Sequence, residues 1–142
     1  MPNVVFFAGG GINKAVTKFS AYTISKIMLI KVCEFLDAEN EDLNIFIVGP
    51  GWTMTKIHQL ILKNIDRKDE RYYKTKNFMT SKKGTSTDDI YNYIKWLCEQ
   101  GRDVAGGRNF SVVYDKWRGK SGKELSIKLK KNPDMYKLRR SE

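Results

Sequence analysis

The sequence predicts an α/β fold with a parallel sheet, because strand-like and helix-like segments alternate along the chain. Three short runs, residues 4–7, 43–48 and 110–114, have the apolar, β-branched and aromatic composition of buried strands. Segments with apolar residues at three- and four-residue steps lie between these runs. We therefore expect about three parallel strands joined by right-handed helical crossovers.

The first strand ends in the loop-forming run Ala8-Gly9-Gly10-Gly11. A helix is expected over 21–38, where apolar residues recur at helical spacing, with Ser20 as its N-cap. The second strand ends at Gly49-Pro50-Gly51, and a shorter helical stripe follows over 54–62.

Later in the chain, Ser86 is followed by Asp88 and Asp89, a combination typical of a helix start. We expect this helix to stop near Gly101, before the third strand. A short helix is predicted over 125–129, in an otherwise irregular tail.

The chain has 142 residues, which predicts one domain, and a formal net charge of +10. Residues 63–83 hold eight basic and three acidic side chains, and residues 116–142 hold ten and three. We interpret the first stretch, which lacks apolar periodicity, as a lid-like basic loop over 63–85. The second is interpreted as a basic tail after a domain over 1–115. A solvated lysine-rich surface explains this charge more simply than the alternative, a small nucleic-acid-binding module.

No apolar run is long enough to cross a bilayer, and the two cysteines, Cys33 and Cys98, lie in helix-like segments. A disulfide framework or a cysteine zinc site needs more, or more closely spaced, cysteines, so we expect a reduced, cytoplasmic protein. The single histidine, His58, has no neighbours at metal-ligand spacing and is expected to be a surface or packing residue rather than a metal ligand.

Tyr22 and Lys26 are the candidate catalytic residues. Their spacing of four places them on one face of the predicted helix, so the ammonium group can lie close to the phenol. A nearby positive charge favours the phenolate and lowers the pKa of a tyrosine toward the working pH, as general acid/base catalysis requires. The same spacing also occurs by chance on exposed helices.

The surroundings of this pair resemble the short-chain dehydrogenase/reductase family. The likeness rests on Phe19-Ser20-Ala21-Tyr22-Thr23-Ile24-Ser25-Lys26 and, after the second strand, on Gly49-Pro50-Gly51-Trp52-Thr53-Met54-Thr55. The two motifs stand in the family's order and separation. The resemblance implies a Rossmann-like doubly wound sheet and an NAD(P)-dependent oxidoreductase that acts on an alcohol or carbonyl substrate.

The same resemblance implies a role for each matched residue. Tyr22 would exchange a proton with the substrate oxygen, and Lys26 would lower the pKa of Tyr22 and bind the nicotinamide ribose. Pro50, Gly51 and Thr55 would contact the cofactor, with the backbone of Trp52 and Thr53 beside them. NAD and NADP are not distinguished.

The resemblance covers only the C-terminal half of the family's domain, without its nucleotide-binding half. We therefore expect a truncated or partial chain, and the alternative is an inactive fragment that needs a partner chain. The position of the family's catalytic serine falls on Gly9. Either another donor replaces its hydroxyl, with Ser20 or Thr17 as candidates, or carbonyl reduction is impaired.

Two further expectations follow from the resemblance. The helix over 21–38 would form a homo-oligomer interface. The basic loop lies where the family has its substrate lid, so Lys74 and Lys76 would hold an anionic substrate.

Overall fold

The computed structural model describes residues 1–13, 18–81 and 83–140. Its sheet has three parallel strands in the order β1-β2-β3, and they cover Asn3–Phe7, Asn44–Gly49 and Asn109–Ser111. Val4 pairs with Ile45, and Ile47 pairs with Asn109. The predicted α/β class with about three parallel strands is confirmed.

Helices lie on both faces of this sheet. Helix α1 (Ser20–Glu39) covers one face, and α4 (Thr87–Gln100), α5 (Arg102–Ala105) and α6 (Gly119–Lys131) cover the other. Helices α2 (Lys56–Asn64) and α3 (Glu70–Ser81) pack against each other. The predicted start of α4 is confirmed, because the Ser86 hydroxyl accepts a hydrogen bond from the Asp89 N–H at 3.0 Å. Among the described residues, no helix is both long and apolar enough to cross a membrane.

Strand β2 divides the core into two clusters, because successive side chains of a strand point to opposite faces. Phe46 and Val48 pack with residues of α4, α5 and α6, whereas Ile45 and Ile47 pack against α1. Cys33 of α1 belongs to the second cluster, and burial raises the pKa of its thiol to about 12. Cys33 is therefore a packing residue.

Arg108 joins the sheet to the C-terminal segment. It is 4% exposed, and its guanidinium donates to the carbonyl oxygens of Asp103, Val104, Leu129, Asn132 and Met135. These acceptors lie on α5, on α6 and in the segment after α6. Burial lowers the pKa of this guanidinium.

The predicted loop over 63–85 is wrong for residues 70–81, which form α3. Thr75 and Phe78 are buried, while Tyr72 and Met79 are half-buried. Buried positions therefore recur at three- and four-residue steps. The sequence hides this helix because a threonine and a tyrosine occupy positions where aliphatic residues would reveal the period.

The basic tail expected over 116–142 is also corrected. Helix α6 begins at Gly119, before the predicted 125–129, and its Leu125 and Leu129 lie in one core cluster with Trp117. Its lysines lie on the exposed side of the helix. Because these lysines are numerous, the amphipathic pattern of the segment is hard to recognise in the sequence. Residues 117–131 thus belong to the same folded unit as the sheet.

Two boundaries differ from prediction. Strand β3 ends at Ser111 and not at residue 114 as predicted. Val113 and Tyr114 lie beyond the sheet and are 53% and 83% exposed. Ser20 is the first residue of α1, and the N-cap position belongs to Phe19, which makes no side-chain cap bond.

Candidate functional site

The end of β1 and the start of α1 bring Tyr22, Lys26 and Gly9 together. A Cβ atom placed on Gly9 would lie 2.6 Å from Tyr22 Oη and 2.7 Å from Lys26 Cγ. Any side chain at position 9 would therefore displace the pair. The glycine allows the phenol of α1 to lie directly against the backbone at the carboxyl end of β1.

Lys26 is held at this strand end. Its Nζ donates to the carbonyl oxygen of Phe7, the last residue of β1, at 3.2 Å. The same Nζ lies 5.9 Å from the centre of the Tyr22 ring. The ammonium group and the phenol thus occupy one helix face, as their spacing predicts. Tyr22 is 38% exposed.

The hydroxyl expected beside Tyr22 is not supplied by the candidates. Gly9 has no side chain, and its position cannot hold a serine while Tyr22 stays in place. Ser20 is two residues from Tyr22 on α1, a separation at which helical side chains do not face each other. Thr17 lies outside the described residues.

The segment between β2 and α2 contains the predicted cofactor-contacting residues Pro50, Gly51, Trp52, Thr53 and Thr55. It leaves the carboxyl end of β2, the strand paired with β1, so it lies at the same edge of the sheet as Tyr22.

This segment is braced by hydrogen bonds of its own. The Trp52 carbonyl accepts from the Thr85 N–H at 2.8 Å, and the Thr53 carbonyl lies 2.9 Å from His58 Nε2. Thr55 occupies the N-cap position of α2 with extended backbone and without a side-chain cap bond.

His58 has a larger part in this region than its sequence context indicates. It is buried, and its ring stacks on Trp52 with centroids 5.6 Å apart and tilts against Phe78 at 4.9 Å. The sequence left open whether His58 lies at the surface or packs. Its partners were not predicted, because Phe78 lies on α3 and is twenty residues away. Within the described part of the chain, the buried Nδ1 has no hydrogen-bond partner.

Helix α3 is anchored beside the start of α1. Arg71 Nη2 pairs with Asp69 at 2.5 Å, and hydrogen bonding to Arg71 holds the pKa of the Asp69 carboxyl well below its ordinary value. The Arg71 guanidinium lies 5.4 Å from the centre of the Phe19 ring, which in turn contacts the Tyr22 ring edge-to-face at 5.5 Å. The segment expected to form a substrate lid therefore contacts the helix that carries Tyr22.

No protein-family model, curated protein or solved structure matches this chain. Among the described residues, no group of three or more His, Cys, Asp or Glu side chains could hold a metal ion.

Proposed function

We propose that this chain carries the acid/base site of an NAD(P)-dependent oxidoreductase of the short-chain dehydrogenase/reductase type. The observation that supports this most strongly is the contact between Tyr22, Lys26 and the backbone of Gly9 at the carboxyl end of β1. Parallel α/β sheets bind their ligands at this edge. On this proposal, the three strands form the C-terminal part of a larger Rossmann-like sheet.

Tyr22 exchanges a proton with the oxygen of the alcohol or carbonyl substrate. During reduction its hydroxyl donates to the developing alkoxide, and during oxidation the phenolate accepts the alcohol proton. The positive charge of Lys26 stabilises that phenolate.

The described residues fit the nicotinamide end of such a cofactor. Lys26 is positioned to reach ribose hydroxyls beside β1, and the segment from Pro50 to Thr55 lines the neighbouring strand end. When bound, the nicotinamide supplies or accepts the hydride. For the pyrophosphate, the β1–α1 connection is unsuitable, because α1 begins only at Ser20 and not directly after the glycine run.

The test, made in a protein that also includes the nucleotide-binding half of the proposed sheet, compares Tyr22→Phe with Tyr91→Phe, which changes a 65% exposed tyrosine on α4. Oxidation and reduction of a panel of alcohols and ketones are followed with both cofactors, and cofactor affinity is measured by calorimetry. We expect Tyr22→Phe to reduce turnover by about 10²-fold or more while cofactor affinity stays the same. Undiminished turnover in Tyr22→Phe would contradict the proposal.

A second candidate is a fragment that is inactive until a partner chain joins it. In the part of the chain that the structure describes, β1 pairs along one edge only, and Phe7 at its end is 47% exposed. Such an open edge accepts a further strand. Calorimetric titration of the 142-residue chain alone with NADH and NADPH decides this point. Binding would contradict the fragment hypothesis.

The homo-oligomer proposal is supported by the outer face of α1. Ile24, Met28, Val32 and Phe35 recur along one face and are 43–61% exposed. An apolar stripe of this kind is typical of a helix that packs against a second copy. In sedimentation velocity, Met28→Glu should shift the protein toward monomer, whereas Ile127→Glu, on the exposed side of α6, should not. A monomeric wild-type chain would contradict this part of the proposal.

A further inference from the structure

A second cleft, separate from the Tyr22 contact, opens between α3, the start of α4 and the end of β3. It is widely open to solvent and has a volume of about 740 Å³. Its walls include Trp52, Phe78 and Val113, together with the cationic side chains of Lys74, Lys83 and Arg118. We call it the α3–β3 cleft. Neither Tyr22 nor Lys26 lines it.

Trp52 provides a fixed aromatic wall. Its ring is stacked on His58 and contacts Phe78 edge-to-face at 4.9 Å, yet it remains 49% exposed. The backbone behind it is closely packed, because a Cβ on Gly51, whose φ is +75°, would lie 2.5 Å from Val113. An indole held in this way loses little conformational freedom when a planar group stacks on it.

The cleft has an excess of positive charge. Three cationic side chains line it, against one carboxylate, Asp89, which pairs with Arg118. Lys74 pairs with Glu70 at 2.6 Å, but both side chains are more than 60% exposed. Such a pair is weak, so Lys74 can turn toward a ligand at little cost. Among the described residues, Lys83 forms no ion pair.

We propose that the α3–β3 cleft binds a small planar anion, of the aryl phosphate class, with its ring on Trp52 and its phosphate between Lys74 and Lys83. The aromatic wall selects the ring, and the two ammonium groups select the charge. This inference does not depend on the oxidoreductase proposal.

The experiment titrates the full chain with phenyl phosphate and follows the indole N–H resonance of Trp52, assigned from a Trp52→Phe variant. Inorganic phosphate and phenol serve as probes that each lack one half of the ligand. Lys74→Ala/Lys83→Ala removes the two cations, and Lys95→Ala/Lys128→Ala removes two exposed lysines outside the cleft. The control variant keeps the net charge of the test variant.

We expect phenyl phosphate to shift the Trp52 resonance and to bind at least about fivefold more weakly to the double variant in the cleft. The control variant should bind like wild type, and so should Lys26→Met, which separates this cleft from the Tyr22 contact. The proposal is overturned if phenyl phosphate leaves Trp52 unchanged, or if both double variants lose affinity equally. Equal affinity for inorganic phosphate or for phenol would overturn it as well, because the ring or the charge would then be unnecessary.

Discussion

Replacing Arg108 by methionine tests whether one buried guanidinium holds the C-terminal segment to the sheet. Methionine keeps much of the side-chain volume but donates no hydrogen bonds. The contacts to the Val104 and Leu129 carbonyls, at 2.6 and 2.9 Å, are fully buried, whereas the other three are partly accessible to water. Hydrogen bonds from a charged donor contribute about 1.5–3 kcal/mol each. Losing the two buried bonds should therefore lower the free energy of unfolding by about 3–6 kcal/mol.

Urea unfolding, followed by circular dichroism, measures this loss. Arg140→Met is the matched control, because Arg140 is exposed, and it should change the free energy of unfolding by less than about 0.5 kcal/mol. Arg108→Lys should fall between the two, since an ammonium group cannot reach acceptors spread over α5, α6 and the segment after α6. A loss below about 1 kcal/mol for Arg108→Met would show that the five contacts do not hold the segment.

Three further predictions concern stability and the Tyr22 contact. Arg139, with Lys31, lowers the pKa of Glu34 from 4.5 to about 2, so Glu34 stabilises the fold above pH 4.5 and loses this contribution as the pH falls toward 2. Glu34→Gln should therefore flatten the dependence of the urea midpoint on pH in that window, and an unchanged slope would contradict the assignment. Ser86→Ala should lower the free energy of unfolding by about 1 kcal/mol, measured by the same urea assay, because α4 loses its cap; Ser121→Ala, an exposed serine inside α6, is the comparison. Gly9→Ala should displace the Tyr22 ring, which solvent-exposure labelling of Tyr22 would detect, and unaltered labelling would refute the close contact.

The strands of the sheet could be predicted because each one overlaps a short run of mostly apolar residues. Residues 45–48 are continuously apolar, and the structure buries all four. The start of α4 could also be predicted from neighbouring residues, since Ser86 and Asp89 are only three residues apart. The proximity of Tyr22 and Lys26 followed from helical spacing alone.

What could not be predicted depends on distant parts of the chain. Thr75 is buried only because of the position that α3 takes in the fold. A threonine gives no sign in the sequence that it will be buried. The stack of His58 on Trp52 and Phe78 joins α2, the segment before it and α3, so no periodicity reveals it. The close fit of Gly9 against Tyr22 is likewise visible only once β1 and α1 are placed together.

The register of the sheet has a consequence for how the chain folds during synthesis. Val4 and its partner Ile45 are 41 residues apart, and Ile47 and its partner Asn109 are 62 apart. Pairings between residues this far apart form slowly, because the chain loses the entropy of closing the loop before the strand contacts contribute any stabilisation. At about 5–20 residues per second, roughly 3–12 s of translation separate the two sides of the β2–β3 pairing. During that interval the most buried of the described strands has one edge uncovered, so β2 is the segment where we expect a nascent chain to bind chaperones or aggregate.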